Sequence, residues 1–362
     1  MANRSEAPTA HLHGSSADPR LRGSWLARGK EGRFSLYLPR DGGVVRWTEN
    51  AGGGWSGPVP IGGGSGGLLP GLSAGQGADG YVHLVALRSV AGGDPDRVEL
   101  VHTTQYQTGR PALEWRSITH PNGAAHQWTG TPSVTVDGIG RAYVFCRNGG
   151  GGISVRAQKD AGGWHPWWDL HGSRTDPLPV AVTNGSGFVE LYTLHATGLL
   201  RYVQRESGAK PVREDPLPTS VAAGTMAAVR GPSGHVTAFY LDVEGRVCAW
   251  SPERFPAPVP LGDAVGEGPL SAVRLSADGL EHTLLAQRDS SGRLQFASYP
   301  AEREEGAELR WTPSGPAVQG PPALTTDASG GVVAAALAPG GAPIVAGRGG
   351  GPGVPPGAWT RL

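Results

Sequence analysis

Apolar residues in this chain come in short alternating runs, such as Phe34-Ser35-Leu36-Tyr37-Leu38 and Val236-Thr237-Ala238-Phe239-Tyr240-Leu241. Alternation with period two places one set of side chains on each face of a strand, so the runs predict half-buried β-strands. Each run follows a glycine, and these anchors recur at Gly32, Gly80, Gly140, Gly187, Gly234, Gly279 and Gly330, with gaps of 48, 60, 47, 47, 45 and 51 residues. Before each anchor lies a strand of small or branched residues, for instance Ser133 to Val136, Val180 to Thr183 and Ala227 to Arg230. A second glycine follows the bulkier strand, at Gly43, Gly151, Gly198, Gly245, Gly292 and Gly341, where a tight hairpin turn is expected. A third strand comes next, and each unit closes on a large apolar residue: Trp55, Trp115, Trp164, Val212, Phe255, Trp311 and Trp359.

Seven units of four short strands, about 50 residues apiece, predict an all-β fold, a seven-bladed β-propeller with four antiparallel strands per blade. A solenoid would carry polar capping repeats, and a β-sandwich would not repeat so evenly. The taper of a blade explains the residue sizes: Ala, Ser, Thr and Val fit where seven inner strands crowd a channel, and larger residues fill the splayed periphery. A closing tryptophan buried between sheets would stabilise by roughly 2 to 3 kcal/mol. The expected organisation is a disordered N-terminal tail over 1–21 and a single propeller over 22–362. Its blades fall near 22–66, 67–128, 129–175, 176–221, 222–265, 266–318 and 319–362. Blade 7 is expected to pack on blade 1 without strand exchange between the termini.

Composition sharpens the class more than the function. With 59 glycines and 32 prolines in 362 residues the chain nears low-complexity levels, but the regular spacing of the glycines argues for turns. Thirty-one basic residues balance thirty-one acidic ones, leaving no electrostatic footprint for nucleic acid or a membrane surface. The first residues lack the apolar core of a secretory signal and no long apolar run occurs, so a cytoplasmic location is expected. Cys146 and Cys248 fall in blades 3 and 5, too far apart for a disulfide, and give no zinc spacing. His11 and His13 on the tail make a weak metal site at best.

The segments Gly53-Gly54-Trp55-Ser56-Gly57-Pro58-Val59-Pro60-Ile61-Gly62 and Gly162-Gly163-Trp164-His165-Pro166-Trp167-Trp168-Asp169-Leu170-His171-Gly172 resemble the GGW..W..LGG repeat ending of seven-bladed lectins of the Photorhabdus lectin type. The resemblance runs over residues 22 to 362. It implies a propeller that binds monosaccharides, fucose among them, in shallow pockets between blades. The repeats here have diverged from one another, and only blade 3 carries the full Trp164 and Trp167 pair.

The chemistry-bearing residues concentrate in two inter-blade connections beside blade 3, Arg116 to Thr131 and His165 to Asp176. Trp167, Trp168, Asp169, His171 and Arg174, with Asn122, His126 and Trp128, form the candidate ligand-binding set. A sugar stacks its C–H face on an aromatic ring while its hydroxyls seek directional polar partners. No catalytic residues, metal or cofactor are expected. Gly63-Gly64-Ser65-Gly66-Gly67 matches nucleophile-elbow spacing, but it lies in a loop with no following helix. The reading is a non-catalytic module whose partner is a saccharide or glycan. A protein-interaction scaffold is the alternative, and a lyase or hydrolase with its active site at the channel mouth is the third.

Overall fold

The computed structural model describes residues 20–63, 66–90, 97–122, 129–277, 279–347 and 357–362. They form seven sheets in chain order around one axis, antiparallel but for one strand pair in blade 2: a seven-bladed β-propeller. Blade 1 is built from Leu26–Arg28, Phe34–Arg40, Gly43–Glu49 and Trp55–Pro60. Blade 2 uses Leu68–Gln76, Val82–Ser89, Val98–Gln105 and Arg116–Ser117; blade 3 uses Ser133–Val136, Ala142–Arg147, Ile153–Ala157 and Trp168–Asp169. Blade 4 consists of Val180–Thr183, Val189–His195, Gly198–Val203 and Val212–Arg213, and blade 5 of Ala227–Arg230, Val236–Leu241, Arg246–Ser251 and Phe255–Asp263. Ser271–Ala277, Leu280–Arg288, Arg293–Pro300 and Thr312–Ala317 make blade 6; Gln319–Thr326, Val332–Leu337, Pro343–Ala346 and Trp359–Arg361 make blade 7.

All seven anchor glycines adopt positive φ, from 74° at Gly279 to 96° at Gly140. In blades 3, 4 and 7 the turn before the anchor is built by an Asx residue. Asp137 Oδ1 accepts the Ile139 and Arg141 amides, Asn184 Oδ1 those of Ser186 and Phe188, and Asp327 Oδ1 those of Ser329 and Gly331. Such side chains replace backbone acceptors in a turn. Neighbouring turns then touch: the Gly138 amide donates to Gly187 O at 2.9 Å and the Gly185 amide to Gly234 O at 2.7 Å. A Cβ on Gly138 would meet Gly187 Cα at 2.8 Å, so this ring of turns admits only glycine there. In blade 1 the second hairpin turns on Asp41 and Gly42, with φ of 48° and 72°, rather than on Gly43, which opens the next strand. Two successive positive φ values are the turn geometry that matches strand twist.

The cores lie between the sheets rather than within any one of them. Val85, Leu100, Ile118, Val134, Val144 and Cys146 fill the layer between blades 2 and 3. Tyr143, Phe145, Leu170, Leu191, Leu200 and Tyr202 fill that between blades 3 and 4. Cys146 and Cys248 are both buried and unpaired with one another. Hydroxyls stitch the inner strands: Ser73 Oγ accepts the Val134 amide and Ser133 Oγ the Ala181 amide.

Blades 7 and 1 close the ring by packing, with Arg28 Nη1 donating to Thr326 O and Arg40 Nη2 to Gly341 O, and share no strand. The N-terminus corrects one expectation. Residues 1–19 lie outside the described residues, but Arg20 and Leu21, assigned to the tail, open a strand, Arg20–Gly23. It runs parallel to Gly71–Ala74 as a fifth strand on the inner edge of blade 2, bordering the channel. An unpaired strand edge is a template for such pairing.

Candidate functional site

The residues Gly162 to Gly172 turn into and form the outermost strand of blade 3. Gly162 and Gly163 both hold positive φ, as Gly53 and Gly54 do in blade 1. Trp164 then bridges Gln158, and Trp55 pairs with Glu49 at the end of the third strand. These two tryptophans are equivalent.

The remaining closing tryptophans are not their equivalents, which revises the repeat alignment. On one rung of the second strand, Val85, Phe145, Ala286 and Ala335 pair with His102, Val155, Phe296 and Val345 of the third. Those pair in turn with Arg116, Trp168, Thr312 and Thr360 of the outermost strand. The preceding residue is tryptophan in all four blades: Trp115, Trp167, Trp311 and Trp359. Trp167 therefore belongs to the repeat. Its indole N–H donates to Ile118 O at 3.1 Å and to Thr119 Oγ1 at 3.2 Å, on the preceding blade. Trp311 likewise donates to Asp263 O at 2.9 Å and Trp359 to Ser314 Oγ at 3.3 Å.

Successive strand residues face opposite sides, and the adjacent tryptophans obey this. Trp167 packs on the layer toward blade 2, beneath the Arg156 guanidinium, 6.0 Å from its ring. Trp168 packs on the layer toward blade 4, with the His165 ring tilted against it at 5.0 Å. The two rings do not form one aromatic wall.

Along the strand follow Asp169 and His171, whose side chains are 58% and 75% exposed; Asp169 shares a rung with Ser154 and Cys146, so it points away from the face that carries Trp168 and Leu170. Asp169 Oδ1 accepts the His171 amide at 2.8 Å and Asn148 Nδ2 at 3.2 Å; Asp169 Oδ2 lies 3.4 Å from His171 Nδ1. His171 and the exposed Arg174 both hold positive φ, of 64° and 54°, and Tyr202 of blade 4 donates its hydroxyl to His171 O. Non-glycine residues in this region cost strain that the surrounding bonds must hold. Asp176 is instead buried structure, its oxygens accepting the Leu178 and Gly224 amides.

The other connection contributes less. Asn122 is exposed, and its amide donates to Nδ1 of His120, a buried ring whose Nε2 lies 3.2 Å from Thr129 Oγ1. His126 and Trp128 lie outside the described residues. Among the described residues, no three His, Cys, Asp or Glu side chains converge as a metal centre requires.

Beneath Trp164 sits a pair that sequence reasoning missed. His102 packs edge-on against Trp164 at 5.0 Å, and His83 Nδ1 lies 3.0 Å from His102 Nε2. Burial disfavours the charged rings, pulling His83 down to about 4 despite Asp79, and His102 to about 3 with His83 adding to the effect. Two histidines in otherwise apolar strands were the available signal.

The central channel has a cavity of about 780 Å³ walled by the inner strands, with Ala, Val, Ser and Thr prominent. One mouth is polar: Arg230 and Arg274 stand there, continuous with a cavity bordered by Glu190, His235 and Glu253. Asp94 and Asp96 lie outside the described residues, and Asp242 closes a turn by accepting the Glu244 and Arg246 amides.

No family model matches the chain, and no curated protein matches it. Solved structures do. The chain is similar to the BP39L lectin from Burkholderia pseudomallei, at 15% identity over 94% of this chain and 99% of that one, with a TM-score of 0.70. AofleA from Arthrobotrys oligospora is 11% identical over 95% and 98% of the two chains, with a TM-score of 0.52. A K499G mutant of NanB sialidase from Streptococcus pneumoniae is 11% identical over 73% of this chain and 64% of that one, with a TM-score of 0.50. At these identities the likeness is one of fold, and the fold these comparisons share with the chain is the β-propeller.

Proposed function

We propose that the protein is a carbohydrate-binding propeller whose site lies on the outermost strand of blade 3. The observation that carries this reading is the half-buried Trp168 followed along the strand by the exposed pair Asp169 and His171. An indole, a carboxylate acceptor and an imidazole along one exposed strand are the groups that a saccharide's C–H face and hydroxyls seek. Tyr202 and Asn148 hold the polar pair in place, so little ordering remains to be done on binding. Arg174 follows on the same connection, Trp167 offers only its ring face because its N–H is engaged, and Asn122 stands on the neighbouring connection. The likeness to a propeller lectin supports the reading at the level of fold.

A glycan array followed by saccharide titration, read by tryptophan fluorescence, tests it. Binding to a neutral saccharide is expected, with at least tenfold weakening in Trp168→Ala. No binding across the array, or affinity unchanged in that variant, refutes the assignment.

A further inference from the structure

On blades 4 to 6, the polar mouth of the channel combines features that packing does not require. A cavity of about 660 Å³ opens between blades 4, 5 and 6, a size typical of small-molecule sites. Its floor is Glu190, which is 2% exposed. Asn184 Nδ2 donates to Glu190 Oε1 at 2.9 Å, while the Tyr192 hydroxyl and Arg201 Nε donate to Oε2 at 2.8 and 2.9 Å. Arg201, itself 3% exposed, also holds Glu253 and Glu214. The carboxylates on this side are thus fixed and partly neutralised.

The opposite wall is cationic. Arg230 and Arg274 occupy equivalent rungs of the inner strands, paired with Val236 and Thr283. Arg274 is anchored by Gly231 O and Glu281. Arg230 makes no ion pair among the described residues, although it borders both the channel and this cavity. An exposed guanidinium anchored by no carboxylate, at the lip of a polar cavity, is poised for a planar anion. His235 lines the cavity too, as does Ser233, whose hydroxyl donates to Glu302.

We infer that this cavity binds a monocarboxylate bearing several hydroxyls, of the hexuronate class. The carboxylate pairs with Arg230 and Arg274, and the hydroxyls find His235 and Glu253. Charge selects the class: a phosphate, with up to two negative charges, would face Glu190 and Glu253 across the same space, whereas a carboxylate brings one. A neutral sugar leaves Arg230 without its partner. The inference is independent of the blade 3 site, since the two lie on different blades and differ in chemistry.

Galacturonate, galactose and inorganic phosphate, titrated separately and followed by proton NMR shifts and calorimetry, supply the test. Galacturonate is expected to bind the full chain, at least tenfold more tightly than galactose does at this site. Arg230→Ala should weaken it at least tenfold and Arg230→Glu should abolish it, both with unchanged thermal stability because the side chain is exposed. Trp168→Ala should leave galacturonate binding intact, separating this site from the one on blade 3. Failure of galacturonate to bind, equal binding in the Arg230 variants, or tighter binding of phosphate would each overturn the inference.

Discussion

Two layers of the ring, between blades 2 and 3 and between blades 4 and 5, solve the same packing problem with opposite chemistry. The same rung of the third strand carries His102 in blade 2 and Arg201 in blade 4. In the first layer a neutral imidazole pair packs against Trp164, with Trp167 capping the periphery. In the second, a buried guanidinium gathers three carboxylates and lies over the Tyr192 ring. The fold requires only that the layer be filled and its polar groups partnered, so divergent repeats can hold an aromatic seam in one place and an ionic one in another. The candidate saccharide site adjoins blade 3, bordered by the aromatic layer; the channel-mouth cavity opens beside the ionic one.

The largest effect should come from breaking the ionic layer. Arg201→Met leaves Glu190 buried with its charge uncompensated, and removal of one partner of a buried pair costs about 3 to 5 kcal/mol. Denaturant unfolding should register that loss, and adding Glu190→Gln should recover a large part of it. If the single variant costs no more than an exposed ion pair, the network is not what orders this layer.

Removing the aromatic cap comes next. Trp167→Ala deletes the indole and its hydrogen bonds to blade 2, at about 3 kcal/mol for a half-buried tryptophan. Trp311→Ala, at the equivalent place, should cost a similar amount. Equal melting of the wild type and the Trp167 variant would return this residue to a purely ligand-facing role.

How much of this was legible beforehand divides along physical lines. The turns were readable, because a positive-φ position selects glycine locally, and the anchors Gly32 to Gly330 therefore mark hairpins without reference to the rest of the chain. The tryptophan alignment was not. Trp164 and Trp167 lie three residues apart on one irregular strand, and spacing alone matched Trp115, Trp311 and Trp359 to the wrong member. Only cross-strand register assigns them. The strand Arg20–Gly23 was hidden for the same reason: its partner, Gly71–Ala74, is a nonlocal edge that local pattern cannot name. In the candidate site, Asp169 and His171 came from composition, while their fixation by Asn148 and Tyr202 came from neighbouring elements. Deleting residues 1–23 should cost about 2 kcal/mol, from lost parallel pairing and the burial of Leu21. The melting temperature would show it, and an unchanged value would make the strand an ornament of the channel.

The histidine pair gives the aromatic layer a pH dependence that the ionic layer lacks near neutrality. Both rings titrate below the ordinary value in the folded protein, His83 at about 4 and His102 at about 3. The unfolded chain therefore binds protons first as pH falls. The contribution to stability is complete above about pH 6.5 and is lost progressively toward pH 3 to 4, amounting to about 1 kcal/mol for the pair between pH 7 and pH 6. Unfolding curves across that range should show the decline in the wild type, and it should flatten in a His83→Gln, His102→Gln variant. The same slope in both proteins would place its origin elsewhere.

The smallest stability effect should accompany an informative functional one. Tyr202→Phe removes a single hydroxyl that donates to His171 O across the blade 3 to blade 4 boundary, worth about 0.5 to 1 kcal/mol. Burial lifts the Tyr202 hydroxyl to about 12, so it remains a donor throughout the neutral range. Without it, the His171 carbonyl keeps only the Ile153 amide, at 3.2 Å, among the described residues, and the relation of the imidazole to Asp169 loosens. Saccharide affinity should then fall severalfold while the fold stays intact, because binding must order a side chain that the wild type orders in advance. Affinity equal to wild type in Tyr202→Phe, alongside a loss in Trp168→Ala, would confine the site to the ring face and release His171 from it.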